Sequence, residues 1–492
     1  MSAHEYKDMA KSSGIVALVQ VFQMAFGLVR NKVVALLIGA SGFGVWSIFH
    51  SFIEMCSSFS TLGLDQGGVR EIAKNSESAE KIGKCIFTFR AAIFSISILA
   101  GALIFAFAGP INDWLFDSQD YVLGVRVVAF LICVNGMAKG GYAILNGVRA
   151  IRYLALSQII SAVVGSIGAI AVIYFFKESG IPYALSIVTV SMAVVTLIYI
   201  KKLRIKTVVP ARGEFRGILK SLLHLGLGFT IAGIVASMMT LCSRGYLNSH
   251  YSMDAVGIYQ ASWTIANLYI GIILTAMGVD FMPRLSKVCD DNCKVNGLID
   301  KQIEFGVCVA SVGAAIVMLL APYILVLLYS SEFTLGTTII RWQILGVMLR
   351  IIAFPFSYAI MAKGKPLQYA FIQVVFWTGE FGLLVLFSNL WGFDALGINY
   401  FVAYIGYMLM TYLACRHNSR YAMSVQTRRI VACALMFIAL FWAICMFTDG
   451  YVTYVLGGML WCVQLSVMNR ILKRVMDINI IQLVKGFIVR HK

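Results

Sequence analysis

Apolar residues run through this chain in long unbroken blocks, not in strand-like alternation or a one-sided helical stripe. A membrane span needs about 20 consecutive apolar residues. Fourteen blocks reach that length, at roughly 14–38, 45–64, 85–108, 122–144, 154–176, 182–200, 222–242, 258–280, 303–329, 337–361, 369–391, 397–415, 430–447 and 451–469. Within lipid every backbone polar group must be paired inside the protein, so each block is expected to be a helix. The polar segments between them are short, and an even number of spans puts both termini on one side.

The spans also repeat. The order Arg30, Gly44, Trp46, Gly63, Asp65, Arg70, Lys74 in the first half returns as Arg244, Gly257, Tyr259, Gly278, Asp280, Arg284, Lys287 in the second. The offset of about 213–215 residues maps span 1 onto span 7 and span 2 onto span 8. Six spans separate the copies, so the copies share one orientation, the parallel repeat symmetry of some secondary transporters. The expectation is an all-α polytopic membrane protein of about 14 transmembrane helices, with two parallel six-helix bundles plus two C-terminal helices. Its parts are a first bundle over 1–200, a cytoplasmic linker over 201–221, a second bundle over 222–415, and the extra pair with its tail over 416–492.

Composition agrees with this reading. Hydrophobic residues make up 60% of the chain and charged residues 13%, against about 45–50% and about 25% in soluble domains. The net charge of +17 is unevenly placed. On the expected topology 31 of the 40 Lys and Arg residues fall in alternate loops and in the tails, which marks those segments as cytoplasmic. Only Lys177 and Arg244 fall on the other face. The excess charge therefore reports topology beside anionic lipid, and no nucleic-acid partner is expected.

Covalent catalysis is not expected. There is no phosphate-holding G-x-x-x-x-G-K-[ST] loop and no H-E-x-x-H pair, and the six histidines are scattered. Nine of the eleven cysteines lie in or at the ends of spans, as small apolar packers. Cys289 and Cys293 share the loop CDDNC, where a metal would need two more ligands and no histidine is close in sequence, so neither a metal nor a cofactor is expected.

Seven cations remain inside spans: Arg30, Lys32, Arg90, Arg126, Lys139, Arg341 and Arg350. A cation in hydrocarbon costs roughly 2.5–3.5 kcal/mol on insertion scales and marks a function unless it snorkels. Arg126 and Arg341 lie near span ends, where snorkelling suffices. Arg90 and Lys139 admit both readings. Arg30 and Arg350 lie deeper and favour a water-filled interior. Glu54, mid-span, is either a coupling-ion site or a neutral buried acid, and Glu380 is expected to pair structurally. Seven cations against two deep acids suit a phosphate cargo. A cavity for organic cations would need the reverse.

Several stretches together resemble one family. They are RNKVVALLIGASGFGVW (Arg30–Trp46), GLDQGGVREIAK (Gly63–Lys74), LNGVR ending at Arg149, YSMDAVGIYQ (Tyr251–Gln260), PRLS (Pro283–Ser286), LLYSSEF (Leu327–Phe333) and RWQ from Arg341. Over about residues 10–415 the chain is similar to the bacterial O-antigen translocases, polysaccharide-lipid flippases of the MATE-like MOP superfamily. Spans 13 and 14 extend beyond the shorter members.

The resemblance implies transport of an undecaprenyl-diphosphate-linked oligosaccharide from the cytoplasmic to the periplasmic leaflet of the bacterial inner membrane. It further implies alternating access, coupling to an ion gradient, and contact with polysaccharide polymerase and chain-length machinery. Arg30 and Arg149 match family basic positions. The expected substrate-binding set is Arg30, Arg90, Lys139, Arg149 and Arg350, with Glu54 for ion coupling. A MATE-type exporter of small organic cations is the alternative on the same fold. A glycan polymerase or ligase would need a large outer loop that the chain lacks.

Overall fold

The computed structural model describes residues 3–75, 78–116 and 121–476, without the side chains of 3–17, 66, 223–229, 276, 279, 280 and 283. Asp117, Asp120, the side chains of His4, His224, Asp280 and Pro283, and the cations beyond residue 476 therefore lie outside the described residues.

Every regular element among the described residues is helical. In chain order they are α1 (Ala3–Thr61), α2 (Leu64–Lys74), α3 (Ala79–Ala106), α4 (Ala108–Phe116), α5 (Val122–Gly147), α6 (Ile151–Phe176), α7 (Ile181–Lys202), α8 (Arg212–His250) and α9 (Met253–Lys287). There follow α10 (Asn292–Leu319), α11 (Ala321–Leu328), α12 (Thr337–Ala362), α13 (Pro366–Trp391), α14 (Ile398–Ser419), α15 (Val425–Phe447) and α16 (Gly450–Met476). Short 3₁₀ turns at Lys177–Gly180, Ser331–Gly336 and Phe393–Gly397 lead into α7, α12 and α14. Ten stretches among the described residues are long and apolar enough to cross a membrane. Leu18–Thr61 and Ile151–Lys202 each hold two of the expected spans, and α8 and α9 supply the last two. The chain is a multi-pass all-α membrane protein.

α1 is two helical arms joined across a kink. Gly39 breaks it with φ 68°, a left-handed conformation that glycine adopts without a Cβ penalty. Sixteen residues of straight helix would hold Arg30 and Trp46 about 24 Å apart. The Arg30 guanidinium instead lies 5.5 Å from the Trp46 ring centre. Spans 1 and 2 are thus the two arms of a hairpin folded at Gly39. Glu332 accepts a hydrogen bond from the Ala40 amide at 3.2 Å, placing a carboxylate at the start of the second arm, where the helix dipole favours it.

The helix lengths carry the repeat. α3 and α10 have 28 residues each, and each gives way one residue later to a short helix, α4 or α11. α5 and α12 have 26 residues, α6 and α13 have 26, and α7 and α14 have 22. The second series starts 213 residues after the first at α3/α10 and 217 after it at α7/α14. The Gly39 fold in α1 answers the break at Tyr251–Ser252 between α8 and α9.

The chain divides into two compact units, Met1–Ile258 with Leu328–Glu332, and Tyr259–Leu327 with Phe333–Lys492. In the first, a glycine contact is reciprocal. A Cβ on Gly44 would come 2.1 Å from the Met253 carbonyl oxygen, and one on Gly257 would come 2.1 Å from the Ala40 oxygen. Residues 40 and 44 meet 253 and 257, their own repeat mates. Polar clamps follow the same logic: Lys32 donates to the Tyr329 carbonyl past the end of α11, and Asn248 donates to Leu115 O near the end of α4 at 3.2 Å. A second apolar core joins Leu64 and Ile72 of α2, Ile86, Phe89 and Ile93 of α3, Ile144 of α5 and Leu222 of α8. Of residues 65–84, expected as a loop, those from Ala79 open α3 and those up to Lys74 form the amphipathic helix α2, which packs. Beside it Lys84 reaches Glu214 at 3.0 Å, and that hydrogen bond holds the Glu214 carboxyl below the usual carboxylate range.

In the second unit the terminal helices α15 and α16 pack on α10. Gly457 sits against Leu319, and the Trp461 indole donates to Val312 O at 3.2 Å. Buried Glu304 accepts from Thr427 at 2.7 Å and from Gln426 at 3.3 Å. Asp300 accepts from Tyr421 at 2.5 Å and from the Ser424 amide at 3.3 Å. Burial and this bond to a carboxylate push the Tyr421 hydroxyl above its usual range. The last two helices are thereby tied to span 9 by specific polar contacts as well as by packing.

Candidate functional site

The hairpin of α1 sets up a charged cluster in the first unit. Arg30 comes from the outgoing arm, and His50 and Glu54, one turn apart, from the returning arm. α5 contributes Lys139 and α8 contributes Arg244. His50 lies within electrostatic reach of Glu54, Arg30, Arg244 and Lys139. The Lys139 ammonium is 3.4 Å from a Glu54 carboxylate oxygen, with the two side chains 28% and 49% exposed. A fully buried pair would be closer and less exposed, so this pair is loosely held and exchangeable.

Two cations of the cluster are fixed by their neighbours. Arg244 is buried; its Nε donates to Ser47 Oγ at 2.7 Å and its Nη1 to Thr240 O at 2.7 Å. Arg30 stands over the buried Trp46 ring, a cation–π contact of about 0.5–2 kcal/mol in general. Its Nε is buried without a hydrogen-bond partner among the described residues. Buried polar donors are nearly always paired, so an unpaired guanidinium nitrogen near His50 is a donor waiting for an acceptor.

The sequence placed Arg244 in an outer loop and set the histidines aside as scattered. Both readings need correction. α8 continues to His250, eight residues beyond the expected end of span 7, and carries Arg244 inside the helix. The extension joins polar residues (Ser243, Arg244, Asn248) to an apolar run, so hydropathy alone ends the span early. His50 joins the cluster only because Gly39 folds its arm back, and no periodicity rule reads a tertiary fold from one glycine.

The other expected residues stand elsewhere. Arg90 is exposed on α3, at a pocket of about 330 Å³ whose lining includes Phe94, Met137, Leu197 and Ile200. Arg149 follows α5 in a turn with φ 56°, a left-handed conformation unusual for a side chain other than glycine or asparagine. Its repeat mate is Gly364, with φ 72°. Arg126 lies 5.6 Å from the Phe105 ring centre, and Arg341 donates to Cys445 O at 2.6 Å. Glu380 is buried and accepts from Asn399 at 2.6 Å, a structural pairing.

Arg350 anchors a different cluster in the second unit. Its Nη1 donates to Asn267 Oδ1 at 3.0 Å, and its guanidinium lies 5.8 Å from the Tyr404 ring centre. Tyr400, Tyr404 and Tyr407 follow one face of α14 and stack in turn on Trp263 and Phe376. Here the deep cation is held by an amide and aromatic rings.

The family model described as Polysaccharide biosynthesis protein matches residues 33–335. The chain belongs to this polysaccharide biosynthesis protein family. The Lipid III flippase of Escherichia coli (strain K12) is 25% identical over 388 residues, covering 78% of this chain and 91% of that protein. Among solved structures, the Lipid II flippase MurJ in an inward closed conformation has a TM-score of 0.71 at 15% identity, covering 94% of this family member and 99% of MurJ. An inward-facing multidrug resistance MATE transporter of the MOP superfamily has a TM-score of 0.66 at 17% identity, covering 85% and 98%. The fold is that of the MOP superfamily, and the recognition of a polysaccharide-lipid flippase from the sequence stands. The relatives are flippases and transporters.

Proposed function

We propose that this protein carries an undecaprenyl-diphosphate-linked oligosaccharide, an O-antigen-type repeat unit, from the cytoplasmic to the periplasmic leaflet of the bacterial inner membrane, with both termini cytoplasmic. The observation that carries the reading is the cluster of Arg30, Lys139, Arg244 and Glu54 around His50, with an unpaired Arg30 nitrogen. Its balance is cationic, which suits a diphosphate and opposes an organic cation. A unit pair at 4 Å is worth about 4 kcal/mol at an effective dielectric near 20, so two such contacts offset much of a diphosphate's dehydration.

In this mechanism Glu54 serves as the stand-in anion for Lys139. Arriving diphosphate takes over Lys139 and Arg30, and the displaced Glu54 accepts a proton. Anion binding and proton uptake are then coupled at one ion pair, and re-formation of the Lys139–Glu54 pair after the cargo leaves resets it. Arg149, on the cytoplasmic turn after α5, meets the headgroup first. Arg90 holds a phosphate at the rim of the apolar pocket, which suits the adjoining prenyl chain. Arg350 is the deep substrate-binding cation of the second unit.

Deletion of the gene should strand lipid-linked oligosaccharide on the cytoplasmic leaflet and remove the surface polysaccharide. Normal surface polysaccharide in the deletion strain, with acquired sensitivity to cationic drugs, would overturn the reading in favour of a MATE-type exporter. Accumulation of the repeat unit on the periplasmic leaflet would place the protein after flipping.

A further inference from the structure

The second unit has a half-exposed aromatic wall that the diphosphate chemistry does not use. Trp263 on α9 and Trp377 on α13 stand with ring centres 6.4 Å apart at 53°. Trp263 meets Tyr400 edge-on at 5.3 Å, and Trp377 meets Phe376 edge-on at 5.2 Å, so both indoles are braced from behind by buried rings. Beside them Arg350 is fixed by Asn267. The Gln373 amide nitrogen donates to Tyr369 Oη at 2.7 Å and to Tyr407 Oη at 3.4 Å. With both of its N–H groups engaged, Gln373 presents its carbonyl oxygen as an acceptor. Asn267, Arg350, Tyr369 and Gln373 are half-exposed like the two indoles.

We infer that this wall is a pyranose-binding platform that reads the glycan of the cargo, and this rests on the flippase reading above. A sugar ring has an apolar C–H face and a rim of hydroxyls. Rigid indoles cover such a face at little entropic cost, and polar groups at fixed positions read the rim. Arg350 supplies several donors in a planar fork, and Gln373 supplies the acceptor.

Comparison with the repeat mates shows that the wall is not a requirement of the fold. At an offset of 213 residues Trp263 answers His50 and Asn267 answers Glu54. At 215 residues Trp377 answers Ala162 on α6, the helix equivalent to α13. The same helical frame closes in the first repeat with alanine at the place of one indole and histidine at the other. The indoles are an addition peculiar to the second repeat.

The mates also choose the test. Trp377→Ala and Trp263→His install side chains that the first repeat already carries at these places. The full-length proteins, reconstituted in lipid nanodiscs, are titrated with two probes. One is undecaprenyl diphosphate; the other is the undecaprenyl-diphosphate-linked oligosaccharide pool extracted from the deletion strain. Wild type should bind the sugar-bearing lipid about tenfold more tightly, and each variant should lose most of that preference while holding bare undecaprenyl diphosphate unchanged. Variants that keep the preference would overturn the platform. Equal wild-type binding of both lipids would overturn it while leaving the flippase reading intact. Wild-type binding of neither would remove both. The bare-lipid affinity controls for folding, and Gln373→Ala gives an independent variant on the polar side, expected to lose about threefold on the sugar-bearing lipid alone.

Discussion

The returning arm of α1 and the start of α9 are mates in the repeat, and they carry opposite chemistry at the same places. His50 and Glu54 stand one turn apart in the first; Trp263 and Asn267 stand one turn apart in the second. Each second residue meets a cation from the equivalent partner helix, Lys139 of α5 for Glu54 and Arg350 of α12 for Asn267. The first pairing is between titratable groups and is an ion pair. The second joins a permanently charged guanidinium to a neutral amide. The two arms therefore differ: one carries a pair that can exchange a proton and the other a pair that cannot. The first suits coupling and the second suits steady recognition.

The most damaging change should be the double variant Arg30→Ala with Arg350→Ala, which takes a deep cation from each arm. A lost charge-assisted contact costs about 1.5–3 kcal/mol, so surface polysaccharide should fall by about two orders of magnitude at normal protein level. Glu54→Asn, which copies the second arm into the first, should come next. Binding of the lipid should strengthen because Lys139 loses its competitor, while turnover falls about tenfold and loses its dependence on pH. Lys139 and His50 face this carboxylate, and Arg30, Arg244 and Lys139 face His50 in turn; a surviving pH dependence would move the coupling site to His50.

The mirrored variants Gly44→Ala and Gly257→Ala test the symmetry of the frame itself. Each adds a methyl 2.1 Å from a backbone oxygen and should cost about 1–3 kcal/mol of stability, by similar amounts. Unequal falls in melting temperature would break the equivalence of the two contacts. The smallest effect on stability belongs to Arg149→Gly. The second repeat already has glycine there, in the same left-handed conformation, so the melting temperature should hold or rise slightly. Transport should nonetheless drop several-fold. Unchanged transport would show that Arg149 is only a turn residue.

Element positions were legible in the sequence because a lipid-solvated helix writes its whole length in hydropathy. All fourteen expected spans coincide with helices, and the repeat offset reappears in the helix bounds. Span ends were less legible where helices continue into polar sequence, as α8 does through Arg244, or fold back without a break in apolar character, as α1 does at Gly39. Depth alone picked out Arg30, Glu54, Lys139 and Arg350 as unusual. It could not sort them, because partners such as Asn267 and His50 are set by which helices pack together. The aromatic wall was invisible for a related reason: Trp263 and Trp377 look like ordinary span aromatics until α9 and α13 bring them to one place.

The central claim is tested most directly in proteoliposomes. Purified protein is reconstituted with the extracted lipid-linked oligosaccharide, and a membrane-impermeant sugar-oxidising reagent reports the fraction exposed on the outer leaflet over time. Wild type should bring the inner-leaflet pool outward, and the Arg30→Ala, Arg350→Ala protein should leave about half of it protected, as protein-free vesicles do. A wild-type trace that matches the protein-free vesicles would contradict the account.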